Sequence, residues 1–245
     1  RTTADRVGGA ADPAEDGPTP PAETFVAGAD AEGRAAEGQI WVILVPAEHV
    51  DRIQNWGFSI RLRRTLTSLD RVLLRVAAPD DRDIAQAALD LALDAPGTTV
   101  DFNHLYVPGA DDTESRKADE PAAAALANPV AAARAPITIG IVDSAVATTH
   151  AAFAGVEIVQ QDFVPFDAPR PLAHGTAVAS ILVGKDGVLG KPRHRAHLHA
   201  ASVFFFDAAG QPAATTESLV AALAWHAAEG VDVVAAEDQG VEQTL

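Results

Sequence analysis

The chain has 245 residues, of which 48% are hydrophobic, so its length suits one large domain or two small ones with buried cores. A formal net charge of −16 argues against a nucleic-acid partner, because phosphate binding needs a concentrated basic surface. No apolar run approaches the roughly 18–20 residues that span a bilayer, and the lack of cysteine excludes disulfides, thiolate metal ligands and a cysteine nucleophile.

Two stretches are too polar or too simple in composition to predict a packed fold. Residues 1–39 are rich in Ala, Gly, Pro, Asp and Glu, with one Phe and neither Leu nor Ile. Such a segment buries too little apolar surface to offset its chain entropy, so we expect a disordered acidic tail, with partner binding as the alternative. Residues 108–135 form an Ala-rich linker that carries no recognisable chemistry.

Residues 40–107 have the pattern of a compact small module. The predicted elements are a strand at 40–45, a helix at 47–57, strands at 58–66 and 72–79, a second helix ending in Pro-Gly at 96–97, and a strand at 99–108. The resulting β-α-β-β-α-β order is that of the ferredoxin-like split unit.

From residue 136 the chain alternates strands with helices. The predicted strands are 137–143, 156–164, 197–204 and 231–234, and the predicted helices are 174–184 and 217–230. This alternation is typical of an α/β fold with an open parallel sheet, in which functional residues lie beyond the carboxyl ends of the strands.

Two chemically capable residues occupy such positions: Asp143 closes the first strand and His174 opens a helix. A buried Asp that accepts a hydrogen bond from Nδ1–H fixes the tautomer of a histidine and leaves its other nitrogen to act as a general base. An Asp at a strand end is equally typical of response-regulator, phosphatase and nucleotide-binding folds. The spacing by itself leaves these alternatives open.

The local sequences around these two residues carry a resemblance. IGIVDSAVATTH resembles the aspartate motif of the subtilisin-like serine peptidases, and AHGTAVASIL resembles their His-Gly-Thr-x-[Val/Ala]-Ala motif. Two further segments, GVLGKPRHRAHLHAASVF and TTESLVAALAWHAAEGVDVV, follow in the family's order, so the resemblance covers residues 137–234.

The resemblance implies a domain organisation. Residues 136–245 would be the N-terminal part of a subtilisin-like catalytic domain, with flanking helices and a parallel sheet whose strands follow the order 2-3-1-4. Residues 40–107 would be a propeptide-like domain of ferredoxin-like α+β fold. VDFNHLY resembles the end of such propeptides, which implies that Asn103, His104 and Tyr106 belong to a tail lying in the active-site cleft. The alternative is an unrelated edge strand with a surface His104.

The resemblance also assigns catalytic roles. Asp143 would orient His174, and His174 would act as general base and then as general acid. No serine of the chain lies in the family's Gly-Thr-Ser context, and the oxyanion asparagine has no counterpart. In the substrate-binding segment only Gly240 matches, and Glu237 and Asp238 introduce charges there. We therefore expect this chain alone to be inactive.

A second departure from the family lies beside the aspartate, where Ala145 occupies the position of a glycine. If that position needs a positive φ, the methyl group would displace Asp143. The predicted strand at 231–234 would also leave an open apolar sheet edge, and such edges tend to pair with another strand.

Three functions remain open: a secreted or periplasmic serine endopeptidase that lacks its nucleophile here, a pseudopeptidase that binds peptides or a protease, and a propeptide-type inhibitor or chaperone. The expected partners are a protein or peptide substrate and the chain's own propeptide-like domain. No cofactor and no metal is expected, since the cluster of His194, His197 and His199 offers no evident third ligand geometry and is better explained as surface histidines.

Overall fold

The computed structural model describes residues 25–30, 33–79, 82–108, 137–185, 187 and 196–236. The strands of this part are β1 (Ala27–Ala29), β2 (Ala35–Val45), β3 (Ser59–Leu66), β4 (Arg71–Ala77), β5 (Thr99–Tyr106), β6 (Ile137–Asp143), β7 (Ile158–Asp162), β8 (Ala196–Ser202), β9 (Phe205–Phe206), β10 (Pro212–Thr215) and β11 (Val233–Ala236). The α-helices are α1 (Val50–Asn55), α2 (Ile84–Asp94), α3 (Ala173–Val183) and α4 (Thr216–Ala228). Residues 1–24, linker residues 109–135, His194 and Gly240 lie outside the described residues.

The N-terminal module follows the β-α-β-β-α-β order that its sequence pattern predicts, from β2 to β5. Its strands pair antiparallel in the order β3-β4-β2-β5. Trp41 and Ile43 of β2 pack on one face with Ile53 of α1 and Leu91 of α2. Val42, also of β2, points to the opposite face and is buried as well. Burial on both faces explains why the central strand is continuously apolar rather than alternating.

The second sheet is entirely parallel, in the order β11-β6-β8-β7. Helix α3 covers one face, where Ala179 and Val183 pack against Ile141 and Leu198. Helix α4 covers the other face, where its alanines contact Val142. The structure therefore mixes helices and strands, with one antiparallel and one parallel sheet, and the parallel sheet is covered on both faces as an α/β fold requires.

A short hairpin, absent from the sequence-based prediction, joins the two modules. Strand β10 pairs antiparallel with β9 and with β5, where Ala214 lies opposite Tyr106 and Thr215 opposite Leu105. The antiparallel sheet thus extends from the N-terminal module into the second one, and the two share a hydrophobic core. Pairing between strands so distant in sequence leaves no local pattern, which is why the sequence did not indicate it.

A buried polar cluster reinforces this junction. The Nε of Arg75 donates to Glu37 Oε2 at 2.9 Å, and Asn103 Nδ2 donates to the same oxygen at 2.7 Å. From the second module, the backbone N–H of Glu217 donates to Asn103 Oδ1 at 3.0 Å, and its carboxylate lies 3.9 Å from Arg75 Nε. Because charged groups are rarely buried unless paired, this cluster fixes which surfaces of the modules meet.

The sequence-based expectation of a disordered tail through residue 39 is wrong for its last part. Strand β1 pairs with β2, whose first residues precede the predicted start at residue 40. Phe25 contacts Phe166 and Phe205, with ring centroids 5.4 and 5.2 Å away. One aromatic ring in a favourable place is enough to anchor a segment whose average composition predicts disorder.

Hydrogen bonds to the carboxylate of Asp30 stabilise the turn after β1. Asp30 accepts hydrogen bonds from the backbone N–H and the Nε of Arg34, at 2.8 and 2.6 Å, and lies 3.0 Å from His104 Nε2. Burial raises the pKa of Asp30, but the hydrogen bonds from His104 and Arg34 and the Arg34 charge outweigh it and lower this pKa to about 2. The turn therefore keeps an ionised carboxylate down to acidic pH.

The last described strand lies at an edge. It spans Val233–Ala236 rather than the predicted 231–234, and in the described part of the chain it pairs with β6 alone. Val233 is 62% exposed. None of the helices that the structure describes is long and apolar enough to cross a membrane.

A buried histidine connects α4 to the parallel sheet. The Nε2–H of His226 donates to the carbonyl of Ile141 at 3.2 Å, and its ring lies 2.9 Å from the position that a Cβ on Gly140 would take. Its Nδ1 is buried and has no hydrogen-bond partner among the residues that the structure describes. Burial lowers the pKa of His226, a nearby His199 lowers it further, and the bond to Ile141 opposes them.

Replacing Phe25 tests the anchored segment. We expect Phe25→Ala to lower the free energy of unfolding by about 2–4 kcal/mol, because it removes one ring of a three-ring cluster. Val26→Ala is the matched control, since Val26 is 64% exposed and its truncation should change stability by less than about 0.5 kcal/mol. Equal effects of the two variants in urea unfolding would contradict the anchoring role of Phe25.

The lowered pKa of His226 predicts a stability that falls in mild acid. The unfolded chain takes up a proton near the ordinary histidine pKa of 6.5, whereas the folded chain resists it to lower pH, so stability is lost as the pH falls below about 6.5. We expect urea unfolding of His226→Gln to show a smaller loss of stability between neutral and mildly acidic pH than the wild type. His197→Gln, at an exposed ion pair, should keep the wild-type slope. An unchanged slope in His226→Gln would rule out this origin.

Candidate active site

Asp143 and His174 meet at the carboxyl end of the parallel sheet. Asp143 is the last residue of β6, and His174 lies in the first turn of α3. The Nδ1 of His174 is 2.9 Å from each carboxylate oxygen of Asp143. Because a carboxylate only accepts, Nδ1 carries the proton and donates it to this pair of oxygens. The sequence-predicted pairing of the two residues is therefore present in the structure.

The two partners differ in their exposure to solvent. Asp143 is 4% exposed, whereas the side chain of His174 is 53% exposed. The backbone N–H of Ser144 donates to Asp143 Oδ1 and helps to fix the carboxylate in place. The backbone carbonyl of Asp143 accepts from Val203 N–H at 2.9 Å, which fixes the strand end to the chain that follows β8. A held carboxylate thus orients an imidazole that faces solvent.

Reciprocal hydrogen bonds tie the strand end to the start of the helix. Gly175 N–H donates to Ser144 Oγ at 2.8 Å, and Ala147 N–H donates to Thr176 Oγ1 at 2.9 Å. A third bond, at 3.1 Å, runs from Ala145 N–H to the carbonyl of Pro171. Together with the Asp143–His174 contact, these bonds hold segments 143–147 and 171–176 in one register.

The glycine and threonine after His174 each have a packing reason. A Cβ on Gly175 would lie 2.3 Å from the carbonyl oxygen of Ser144, too close for any side chain. Thr176 supplies the acceptor for Ala147, as described above. In this chain His-Gly-Thr is therefore a unit in which the first residue carries chemistry and the next two seat the helix against the aspartate loop.

Ala145 does not displace Asp143 in the way the missing glycine suggested. Among the described residues, Asp70 alone among non-glycine residues has a positive φ, so Ala145 is free of left-handed strain. Ala145 is buried, and its N–H donates a hydrogen bond to the carbonyl of Pro171. Gln160 of β7 supports the same loop, since its Oε1 accepts from Val146 N–H at 2.6 Å. No local pattern in the sequence indicated this role for Gln160.

Three serines that lie near the site are either hydrogen-bonded elsewhere or buried in a strand. Ser144 Oγ accepts from Gly175, as described above. Ser180 Oγ donates to the carbonyl of Ala177 within its own helix at 2.7 Å. Ser202 is buried beside Asp143 in the register of β6 and β8. Each is held by strand or helix geometry rather than presented to a substrate.

The remaining candidates lie at the junction between the modules. Asn103 is fully buried in the polar cluster with Glu37, and Tyr106 pairs with Ala214 of β10. His104 is 7% exposed and bonded to Asp30, so the alternative of a surface His104 is wrong. The structure places these three residues on β5.

The other histidines have ordinary partners. His197 pairs with Glu157 at 2.9 Å, and His199 stacks on Trp225 with ring centroids 5.4 Å apart. Within the part of the chain that the structure describes, no group of three His, Asp or Glu side chains is placed to hold a metal ion. Gly240 and His194 cannot be added to this description, since both lie outside it.

Comparison of the sequence with protein-family models and with curated proteins gave no match in either case. A functional assignment therefore depends on the motifs and on the geometry around Asp143 and His174.

The hydroxyl of Thr176 offers a test of the loop connection. We expect Thr176→Val to lower the free energy of unfolding by about 1–3 kcal/mol, because the part-buried N–H of Ala147 loses its acceptor. Thr176→Ser keeps the hydroxyl and should retain most of the stability. If urea unfolding gives both variants the same midpoint, the hydroxyl does not tie the two segments together.

Proposed function

We propose that this chain provides the aspartate–histidine half of a subtilisin-like serine peptidase, joined to a propeptide-like module. The observation that carries the proposal is the 2.9 Å contact of His174 Nδ1 with both oxygens of the buried Asp143, inside motifs that resemble those of the family. A paired Asp and His alone would be weak support. A glycine and a threonine with defined roles directly after the histidine make the support stronger.

The chemistry follows from the orientation of the imidazole. With Nδ1–H donated to Asp143, the Nε2 of His174 is the basic nitrogen. In peptide hydrolysis it would accept the proton of a serine hydroxyl as the oxygen attacks the scissile carbonyl, and then deliver that proton to the leaving amine. Asp143 remains ionised and stabilises the imidazolium formed between these steps.

The topology supports the same proposal. The parallel strands β6, β7, β8 and β11 are the first to fourth of the second module along the chain. Across the sheet they follow the order β7-β8-β6-β11, that is 2-3-1-4, which is the order expected for the first four strands of the family. The order β3-β4-β2-β5 of the N-terminal module is that of a ferredoxin-like sheet. A propeptide-like identity of this module agrees with its contact on the second module through β5.

The chain itself is proposed to be inactive, because none of its serines lies in a nucleophile motif. An incomplete triad loses about 10⁴–10⁶ in rate. A peptidase of this kind would act on protein or peptide substrates without a cofactor, and the resemblance places it outside the cytoplasm, secreted or in a periplasm.

A second candidate is an inhibitor or folding chaperone built on the N-terminal module. It is favoured by one observation: β5 pairs with β10, and Asn103 of β5 accepts a hydrogen bond from Glu217 at the start of α4. A module whose strand pairs with a hairpin of the second module makes the kind of strand-to-strand contact that an intramolecular chaperone would use.

The first experiment asks whether a nucleophile accompanies this base. The coding DNA is read past codon 245, the longer product is expressed, and casein hydrolysis and fluorophosphonate labelling are measured. We expect a Gly-Thr-Ser segment, labelling of its serine, and a loss of about 10⁴–10⁶ in rate for His174→Ala. His197→Ala, at an exposed ion pair, is the control and should keep the rate.

The 245-residue chain serves as the negative control and should be neither labelled nor active. Labelling of this chain would show that a nucleophile was overlooked. A reading frame without such a serine would contradict the peptidase proposal and favour the inhibitor or folding chaperone.

The second candidate has its own test. Residues 25–108 are added at micromolar concentration to an active subtilisin-like peptidase, beside a variant with Asn103→Ala. We expect slower hydrolysis with the wild-type module and weaker inhibition with the variant, because Asn103 loses its contact with the partner helix. Absence of inhibition by a module shown by circular dichroism to be folded would remove this candidate.

A further inference from the structure

The loop between β7 and α3 is rich in proline, so it has few backbone N–H groups to pair with its carbonyls. Residues 163–172 include Pro165, Pro169 and Pro171, which have no N–H to donate, while Val164 and Phe166 are buried in an apolar cluster with Phe205. Buried carbonyls need hydrogen-bond partners, and a proline-rich loop supplies few donors of its own. Some side chain must therefore satisfy these carbonyls.

Arg170 supplies the missing donors. Its Nη2 donates to the carbonyls of Phe166 at 3.0 Å and Val164 at 3.3 Å, and its Nη1 donates to the carbonyl of Ala168. Its Nε donates to Asp162, the last residue of β7, at 3.0 Å. One guanidinium thus closes the loop on itself and fastens it to the end of a strand. The Arg170 side chain is mostly buried.

The end of this loop leads directly to the site. Pro171, next to Arg170, accepts the hydrogen bond from Ala145 N–H at 3.1 Å, two residues after Asp143. The carbonyl of Leu172 accepts from Thr176 N–H at 3.1 Å and so begins the helix. His174 lies in the first turn that follows. The position of the imidazole therefore depends on where the loop places the backbone of Pro171 and Leu172.

We propose that Arg170 is a positioning residue, which fixes the start of α3 so that His174 keeps its Nδ1–H hydrogen bond to Asp143. It acts through the loop backbone, whose carbonyls it bonds. The catalytic meaning of this role rests on the proposed function, but the positioning itself concerns the Asp143–His174 contact and can be measured on the chain as it is.

Lysine should not replace arginine here. The guanidinium is a planar fork of five N–H donors, whereas an ammonium group is a point charge with three donors on a flexible stem. A lysine could neutralise Asp162 and reach one carbonyl. It could not bond the carbonyls of Val164, Phe166 and Ala168 and the Asp162 carboxylate together.

The test observes the His174 Nδ1–H proton by NMR in the full 245-residue chain. An Nδ1–H donated to a carboxylate gives a low-field resonance that is protected from exchange with water, and Asp143→Asn identifies it by its loss. We expect Arg170→Lys to raise the exchange rate of this proton by about tenfold or more, since the lost charged hydrogen bonds make opening of the helix start easier.

A matched control is Arg82→Lys in the N-terminal module. Arg82 also bonds a carbonyl, that of Trp56, and lies over the rings of Trp56 and Phe58, all within the N-terminal module. This variant should lose some stability and leave the His174 proton unchanged. If Arg170→Lys behaves in the same way, with lower stability and unchanged exchange, Arg170 is a stability residue only and the proposal is wrong.

A milder variant covers the case in which Arg170→Lys does not fold. Asp162→Asn keeps the guanidinium on its three carbonyls and weakens the charged contact of Arg170 to the strand end, while the amide oxygen of the new side chain is still able to accept from Val164 N–H. We expect faster exchange of the His174 proton, by less than in Arg170→Lys, and unchanged exchange would overturn the proposal. A gene without a nucleophilic serine would defeat the proposed function while leaving these results valid.

Discussion

Helix α4 is the element on which the arrangement of the whole described structure depends, because it is shared by two sheets. One side packs on the parallel sheet, where His226 bonds to the carbonyl of Ile141. The other side packs on the N-terminal module, where Ser68 Oγ donates to the carbonyl of Ala224 and Glu217 N–H donates to Asn103. The exposed positions of this helix include the apolar Leu223, so no polar solvent face specifies its rotation. Its orientation must therefore come from specific side chains.

Two buried polar side chains of α4 determine its rotation. His226 and Glu217 are both almost fully buried, on a helix that is otherwise mostly alanine and aliphatic. Replacing an apolar residue by a buried polar one costs free energy unless its partner is in place, so each polar group allows one rotation and one register of the helix. Glu217 faces Arg75 of the N-terminal module, and His226 faces Gly140 of the parallel sheet. The helix thus orients the two modules relative to each other, together with the pairing of β5 and β10.

The parts of this structure that are predictable from sequence are those with a local period. The central strands are continuous apolar runs, and the helices between them carry glycine or N-cap signals, so the β-α-β-β-α-β order and the parallel strands could be placed to within a few residues. The Asp143–His174 pair was expected mainly from the motifs around the two residues, since their places at the end and the start of elements left other folds open.

The features that the sequence did not indicate depend on contacts between distant segments. The β9–β10 hairpin is too short to show a period, and its partner β5 lies more than a hundred residues earlier. Phe25 is a single ring in a polar segment, and its partners come from a loop and from strand β9 of the other module. Arg170 bonds carbonyls of its own loop, and a charged residue in a loop is more often solvated.

The geometry of the base is independent of any nucleophile. The contacts that hold His174 to Asp143 come from segment 143–147, the loop before α3 and the first turn of that helix. Each is a backbone or packing interaction that contributes to folding, so selection for stability alone would preserve them. An intact Asp–His pair is therefore weak support for activity. Activity depends on whether another segment brings a hydroxyl to an imidazole that the fold already holds in position.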